Sequence, residues 1–254
     1  MIVIKSNREI ELMRRAGEIV YETHQQLKKR ICVGITTREL DKIAYDYIVS
    51  CDATPSFKGY GGFPSTLCTS VNDEVVHGIP SDYKLKDGDI ISIDIGACYQ
   101  GYHGDSAWTY EVGKVDIETK RLLDLTKEAL FVGLEQVKPG NRIGDISHAI
   151  GVFAKEHNLG VVKELTGHGV GSKLHEDPHI PNYGKKDTGA KLKPGMTLAI
   201  EPMLNLGTAN IGIEADGWTV KTLDGKQSAH YEHTIVVTNT GYDILTTKME
   251  GKNG

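Results

Sequence analysis

The stretch Ile90-Ile91-Ser92-Ile93-Asp94-Ile95-Gly96 decides the fold of this chain. Its β-branched and mostly apolar side chains follow a polar turn, so the pattern predicts a buried strand. A second run typical of a strand, residues 104–110, carries Asp105. A hairpin turning across residues 99–102 would bring Asp94 and Asp105 side by side. Two neighbouring buried carboxylates repel each other, and a shared metal cation is the commonest way to keep both ionised.

The composition is that of an ordinary globular protein, and 254 residues are enough for a substantial core. A net charge of −5 gives no reason to expect binding to DNA or to an anionic membrane. Acidic residues interrupt the start of the chain, unlike a signal peptide, and no apolar run reaches transmembrane length. The four cysteines form no Cys-x-x-Cys pair, so we expect reduced thiols in a cytoplasmic protein.

Two pairs of helices are predicted, one near the start of the chain and one near its middle. Ser6 and Glu9 match a capping box for the first helix, and Thr36 or Thr37 is expected to cap the second. Apolar residues recur at helical spacing in these segments. The four segments are residues 6–29, 37–48, 118–137 and 143–158. Strands and glycine-rich loops follow each pair, so the order of elements occurs twice.

The sequence repeats along with this order. Residues 85–94 align with residues 192–201. Four acids and two histidines take matched places in the comparison: Asp94 with Glu201, Asp105 with Glu232, and His77 with His168. Duplication of a supersecondary unit predicts two halves packed about a pseudo-two-fold axis. We therefore expect these polar side chains to meet at the axis.

Four carboxylates on strands, together with a histidine, predict an oxygen-rich metal site. The ligands are too many for one tetrahedral zinc, and the histidine argues against a site for calcium or magnesium alone. Two divalent ions about 3.5–4 Å apart would use all of these ligands and would activate a water for hydrolysis. Taken singly, each acid is better explained by a surface turn or a salt bridge. That explanation weakens because Asp94 and Glu201 occupy matched interior positions of apolar strands.

Residues 175–179, His-Glu-Asp-Pro-His, match the His-Glu-x-x-His pattern of zinc proteases. The pattern binds zinc only on a helix, and Pro178 disfavours a helix here. We expect instead a loop in which His175 points to the site and His179 packs or faces solvent. The remaining histidines have no evident partner and are expected to be packed or exposed: His24, His103, His148, His157, His230 and His233.

Five residues resemble, in order and spacing, the metal ligands of the methionine aminopeptidases: Asp94, Asp105, His168, Glu201 and Glu232. Local phrases match as well, among them His77-Gly78-Ile79-Pro80 and Ala199-Ile200-Glu201-Pro202. The resemblance covers nearly the whole chain and is to the short type I form. It implies an α+β fold, the pita-bread (creatinase/aminopeptidase) fold, in which helices back a curved antiparallel sheet. Residues 1–254 would form a single catalytic domain with pseudo-symmetric halves of about 1–115 and 116–254.

The resemblance also implies a role for each site residue. Asp94 would bind one ion, His168 and Glu201 would bind the second, and Asp105 and Glu232 would bridge the two. Glu201 would also act as general base. His175 would stabilise the developing oxyanion, and His77 would contact the scissile amide. The match of His77 with His168 in the repeat favours a functional role for His77 over that of an ordinary loop histidine.

An apolar pocket is expected to receive the methionine side chain of the substrate. Five side chains occupy the corresponding loop positions, next to His77 and His175: Phe57, Tyr60, Phe63, Leu174 and Trp218. Aromatic rings suit a thioether sulfur, at about 0.3–1.5 kcal/mol per contact. For Tyr60 and Trp218, plain core packing explains the residue almost as well.

The resemblance implies two divalent metal ions, from among Mn, Fe, Co and Zn, and a monovalent cation near Asn72 and Ser228. The implied substrates are N-termini of nascent polypeptides whose second residue is small, and docking on the ribosome stays open. We expect a monomer, since no interface stripe is evident. Two alternatives remain. Prolidase and aminopeptidase P share the fold but carry a separate N-terminal domain, and a binding module would have lost its metals.

Overall fold

A computed structural model describes residues 1–248 of the 254-residue chain. Four α-helices occur there: α1 (Asn7–Lys28), α2 (Thr37–Ser50), α3 (Ile117–Leu134) and α4 (Ile143–Glu156). The predicted capping box of Ser6 and Glu9 is present, and Thr36, one of the two expected caps of the second helix, forms a second capping box with Glu39. Helix α3 ends three residues earlier than predicted. None of these α-helices combines the length and the apolar composition that a bilayer span requires.

The strands follow the predicted order, and every strand pair within residues 1–248 is antiparallel. In the first half they are β1 (Thr54–Pro55), β2 (Leu67–Val71), β3 (Glu74–Val76), β4 (Ile90–Tyr99) and β5 (Tyr102–Glu111). In the second half they are β6 (Gly160–Val161), β7 (Thr166–Gly169), β8 (Glu176–Pro181), β9 (Thr197–Ile200), β10 (Met203–Asn205), β11 (Ile211–Ile213), β12 (Val220–Thr222), β13 (Ser228–His230), β14 (His233–Val237) and β15 (Tyr242–Ile244). The predicted α+β architecture is confirmed.

Strands β4 and β5 form the predicted hairpin. Tyr99 pairs with Tyr102, and the two turn residues between them have positive φ angles, which a type I′ turn requires. Asp94 pairs with Ala107, whereas Asp105 pairs with Gly96. Because side chains alternate between faces, the two acids are diagonal neighbours on one face of the sheet rather than directly opposite each other.

Each half buries an apolar core between its strands and its helices. The first core contains Ile19, Leu27, Leu40, Ile91 and Ile93, and the second contains Leu122, Leu130, Ile146, Leu198 and Ile235. Helix α1 packs directly on β5, since a Cβ at Gly104 would lie 2.7 Å from the backbone nitrogen of Gly17. This contact admits only glycine at residue 104, and it fixes the hairpin against the helix.

The repeat is visible in matched backbone contacts. Equivalent hydrogen bonds and bridges recur in the two halves: Leu85 N–H to Ile35 O and Leu192 N–H to Asn141 O, then Thr36 with Lys84 and Arg142 with Lys191. The halves meet where the Glu232 N–H donates to Ala107 O at 2.8 Å and the Thr234 hydroxyl donates to Asp105 O at 2.8 Å. The aligned acids therefore lie at the junction of the two halves.

The strand register corrects one of the matches expected within the repeat. Ile93 pairs with Trp108, and its counterpart Ile200 pairs with His233. Trp108 is therefore equivalent to His233, so Glu232 is equivalent to Ala107 and not to Asp105.

The match of His77 with His168 was also wrong. His168 pairs with Ala199, the counterpart of Ser92, and Ser92 pairs with Ser70. His168 is therefore equivalent to Ser70. Similar glycine-flanked sequence motifs do not determine a strand register, because the register depends on turn lengths that differ between the halves.

Candidate metal centre

The structure brings the five expected ligands to one cavity at the junction of the halves. Asp94 lies on β4, Asp105 on β5 and His168 on β7, while Glu201 directly follows β9 and Glu232 directly precedes β14. His168 Nε2 lies 3.5 Å from Glu201 Oε1 and 3.9 Å from Asp105 Oδ2. Asp105, His168 and Glu232 each offer a ligand atom within 4.8 Å of the other two.

Unpartnered buried oxygens show that these residues fit divalent cations. Within the described part of the chain, Asp94 Oδ1, Asp105 Oδ1 and Glu232 Oε1 are buried and have no hydrogen-bond partner. Burial raises the pKa of Asp94 to about 7, and burial with mutual repulsion raises the pKa of Asp105 and Glu232 well above its usual range. A cation among the carboxylates would supply the missing partner and offset the repulsion.

His168 is prepared to act as a nitrogen ligand. Burial, aided by the nearby His175, lowers its pKa to about 3, so the ring is neutral near pH 7. Its Nδ1 lies 2.9 Å from the carbonyl oxygen of Gly169 and donates to it, which leaves the lone pair of Nε2 facing the acids. A histidine that binds a metal is commonly oriented by such a contact.

His230 also lies beside these ligands, although no role was predicted for it. It ends β13 and is 2% exposed, and its Nε2 lies 3.5 Å from Glu201 Oε2. The strand register makes His230 the counterpart of Asp105 in the second half. Only this register, which joins strands far apart in sequence, identifies it.

The expected methionine pocket adjoins the acids in the same cavity, whose volume is about 250 Å³. Phe57, Phe63 and Leu174 are buried together, and the Trp218 ring packs edge-on against Phe63 at 5.2 Å. The Phe57 ring packs against Gly96, where no larger residue fits, since a Cβ at residue 96 would lie 2.6 Å from the ring. Cys68 belongs to the same cluster and was not predicted as part of the pocket.

Tyr60 lines this cavity as expected and lies at its rim, with 46% of its surface exposed. Its hydroxyl lies 2.8 Å from His175 Nδ1. The rings of His175 and His168 are 4.3 Å apart, so His175 lies beside the expected metal ligands. His77 lines the cavity as well, and burial lowers its pKa to about 4.

The zinc-protease reading of residues 175–179 fails. Residues Glu176–Pro181 form strand β8, in which His179 pairs with His168. Lys5 reaches this segment from the start of the chain, and its Nζ lies 2.7 Å from Glu176 Oε2 in a nearly buried ion pair.

The cysteines expected to be reduced are all free.

Asn72 and Ser228 are neighbours, as the expected monovalent cation site requires. The Ser228 N–H donates to the backbone oxygen of Asn72 at 2.9 Å, and the Ile90 N–H donates to Asn72 Oδ1 at 3.0 Å. Both oxygens of Asn72 thus already accept a hydrogen bond, and the cation stays a prediction.

Comparison with known proteins agrees with this geometry. The profile of metallopeptidase family M24 matches residues 11–239. Methionine aminopeptidase 1 of Bacillus subtilis is 57% identical over 246 residues, which are 97% of this chain and 99% of that protein. The crystal structure of methionine aminopeptidase from Thermotoga maritima superposes with a TM-score of 0.96 at 46% identity, covering 97% of this chain and 100% of that one.

A proline-specific peptidase shares the fold at lower similarity. Prolidase from Pyrococcus furiosus superposes with a TM-score of 0.77 at 24% identity, and the match covers 98% of this chain but 66% of that one. At this identity the likeness concerns the fold alone.

Proposed function

This chain belongs to metallopeptidase family M24 and within it to the methionine aminopeptidases, and we propose that it removes the N-terminal methionine from polypeptides whose second residue is small. The observation that carries this proposal is one cavity in which five ligand side chains adjoin an apolar pocket. The chain acts as a single catalytic domain, residues 1–254, with halves of about 1–115 and 116–254. Its expected setting is the cytoplasm, as a monomer acting on nascent chains.

The five side chains would hold two divalent ions. Asp94 would hold one ion, His168 and Glu201 would hold the other, and Asp105 and Glu232 would be shared between them. When bound, such a pair supplies Lewis acidity and makes a water nucleophilic near neutral pH. The mixed oxygen and nitrogen donors suit Mn, Fe, Co or Zn, and availability decides among these metals.

The reaction is hydrolysis of the first peptide bond. Glu201 accepts a proton from the attacking water and passes it to the leaving amine. His175 donates from Nε2 to the carbonyl oxygen as negative charge develops there. A donor of this kind typically contributes about 10²–10³ in rate. The Tyr60 hydroxyl supports this role, because donation to Nδ1 leaves the His175 proton on Nε2.

The substrate is held at both ends of the scissile bond. Its methionine side chain enters the pocket between Phe57, Phe63 and Trp218, where rings contact the sulfur. His77 contacts the amide of the bond that is cleaved. A second residue with a large side chain is expected to clash beyond the pocket, which would restrict the enzyme to substrates with a small second residue.

Hydrolysis of four tripeptides by metal-stripped protein with added Mn²⁺ or Co²⁺ tests the proposal: Met-Ala-Ser, Met-Leu-Ser, Pro-Ala-Ser and Ala-Pro-Ser. We expect methionine release from Met-Ala-Ser alone, abolished in Asp105→Ala. Cleavage of Ala-Pro-Ser instead would assign the protein to the proline-specific peptidases. No cleavage with any metal would refute the proposed activity.

A further inference from the structure

His230 has a fixed place beside Glu201. Its backbone N–H donates to the Thr109 hydroxyl at 2.9 Å, and that hydroxyl lies 2.9 Å from His230 O. Pairing with Met203 of β10 fixes the strand on its other side. The ring is buried, and its Nε2 has no hydrogen-bond partner among residues 1–248. A buried polar nitrogen in a fixed position needs a partner, and Glu201 is beside it.

Glu201 lies between two histidines, one at each carboxylate oxygen. Oε1 is 3.5 Å from His168 Nε2, and Oε2 is 3.5 Å from His230 Nε2. Gly169 O keeps the proton of His168 on Nδ1, so that ring presents a lone pair. For His230 the carboxylate itself is the nearby acceptor, and it favours the tautomer that carries the proton on Nε2.

We propose that His230 is a positioning residue that donates its Nε2–H to Glu201 Oε2 and thereby fixes the orientation of that carboxylate. With Oε2 held, Oε1 is presented to the side of His168, where the metal ligands converge. The inference rests on the proposed function, since Glu201 serves there as ligand and base. Contacts of this kind behind a metal ligand commonly contribute about 10–100-fold to metal affinity or activity.

Three substitutions of His230 distinguish hydrogen-bond donation to Glu201 from packing of the buried ring. His230→Gln keeps an N–H at nearly the reach of Nε2, His230→Leu removes the donor at similar volume, and His230→Asn carries an amide that is too short. His24→Gln is the matched control, because His24 is equally buried but contacts Tyr110 and Ser106 O outside the cavity. Thermal unfolding of each variant establishes that it is folded.

Two measurements are made on each protein: kcat and KM for Met-Ala-Ser, and Co²⁺ affinity by calorimetry on metal-stripped protein. We expect His230→Leu and His230→Asn to lower kcat about 10–100-fold and to weaken Co²⁺ binding, with KM nearly unchanged. His230→Gln should recover most of both losses. His24→Gln should change the unfolding temperature without changing kcat.

Two outcomes would overturn the inference while the proposed function stands. If wild type cleaves Met-Ala-Ser and His230→Leu equals it in kcat and in Co²⁺ affinity, His230 only packs. If His230→Gln is as impaired as His230→Leu, the imidazole is required for something other than an N–H. A wild type that neither binds Co²⁺ nor cleaves the peptide would refute both proposals.

Discussion

The Tyr60 hydroxyl lies 2.8 Å from His175 Nδ1, so a residue that lines the methionine pocket also contacts the histidine proposed to stabilise the oxyanion. Tyr60→Phe removes this contact and keeps the ring. We expect kcat for Met-Ala-Ser to fall by about 10-fold, with KM changed less, because the Nε2 proton of His175 is then no longer fixed.

Phe63→Leu is the control for this prediction, since it alters the pocket without touching His175. It should raise KM more than it lowers kcat. If Tyr60→Phe shows the same pattern as Phe63→Leu, Tyr60 contributes to the pocket surface and does not orient His175.

Substitution of Asp105 by asparagine should stabilise the metal-free protein and weaken metal binding. Asp105 Oδ1 is buried without a partner in the described chain, and Asp94 repels it. Asp105→Asn should therefore raise the free energy of unfolding of metal-free protein by about 0.5–2 kcal/mol at pH 8. The same variant should lose the stabilisation that Mn²⁺ gives wild type.

Denaturant unfolding with and without Mn²⁺, and metal analysis after dialysis, measure both effects. Asp124→Asn, an exposed carboxylate of α3, should change neither. Retention of two ions per chain by Asp105→Asn would remove Asp105 from the ligand set.

Metal-free protein should become less stable as pH rises through neutrality. Burial raises the pKa of Asp94 from 3.8 to about 7. The folded state then binds more protons than the unfolded state between these values, so the free energy of unfolding falls as pH rises from about 4 to about 7. Mn²⁺ binds the carboxylates in their ionised form, so protons compete with it at low pH. The ion should therefore raise Tm more at pH 8 than at pH 5.5.

Calorimetric scans from pH 5.5 to 8.5, with and without Mn²⁺, follow this dependence. The metal-free Asp94→Asn variant should show a shallower decline. A metal-free wild type whose Tm climbs across this window would contradict the expected direction.

The buried ion pair of Lys5 and Glu176 should stabilise the loop that carries Leu174 and His175. Lys5→Met leaves Glu176 buried without its partner, which commonly costs about 3–5 kcal/mol. The double variant Lys5→Met/Glu176→Met should recover part of that loss. Urea unfolding gives the energies, and KM for Met-Ala-Ser should rise in the single variant.

The exposed pair Arg38–Asp82 is the matched control, since both of its side chains are largely exposed. Arg38→Met should lower the free energy of unfolding much less than Lys5→Met does. Equal losses in the free energy of unfolding would show that burial of the Lys5–Glu176 pair does not increase its contribution to stability.

Local patterns predicted most of the fold. Capping residues such as Ser6 and Thr36 act within one turn, and the alternation on β4 and β5 requires only neighbouring residues. The two acids were therefore brought together correctly from sequence, although as diagonal neighbours. The order of elements in both halves could be predicted for the same reason.

Relations between distant strands could not be predicted. Neither the place of His230 nor the counterpart of His168 follows from local phrases, because each depends on pairing across the two halves or on turn lengths. The contact of Thr109 with His230, for example, spans 121 positions. Cys68 was missed in the pocket for a similar reason, since its place follows from pairing with Asp94.

Asp94 and Asp105 come from one half of the chain, and His168, Glu201 and Glu232 come from the other, joined by the hydrogen bond from Glu232 to Ala107. Ion binding at the proposed site would therefore cross-link two units that each have their own core. Neither unit alone holds a complete site, so the affinity for metal includes the free energy of docking one half on the other. Two fragments separated after β5 would then associate more tightly when the metal is present, much like the subunits of a metal-dependent dimer.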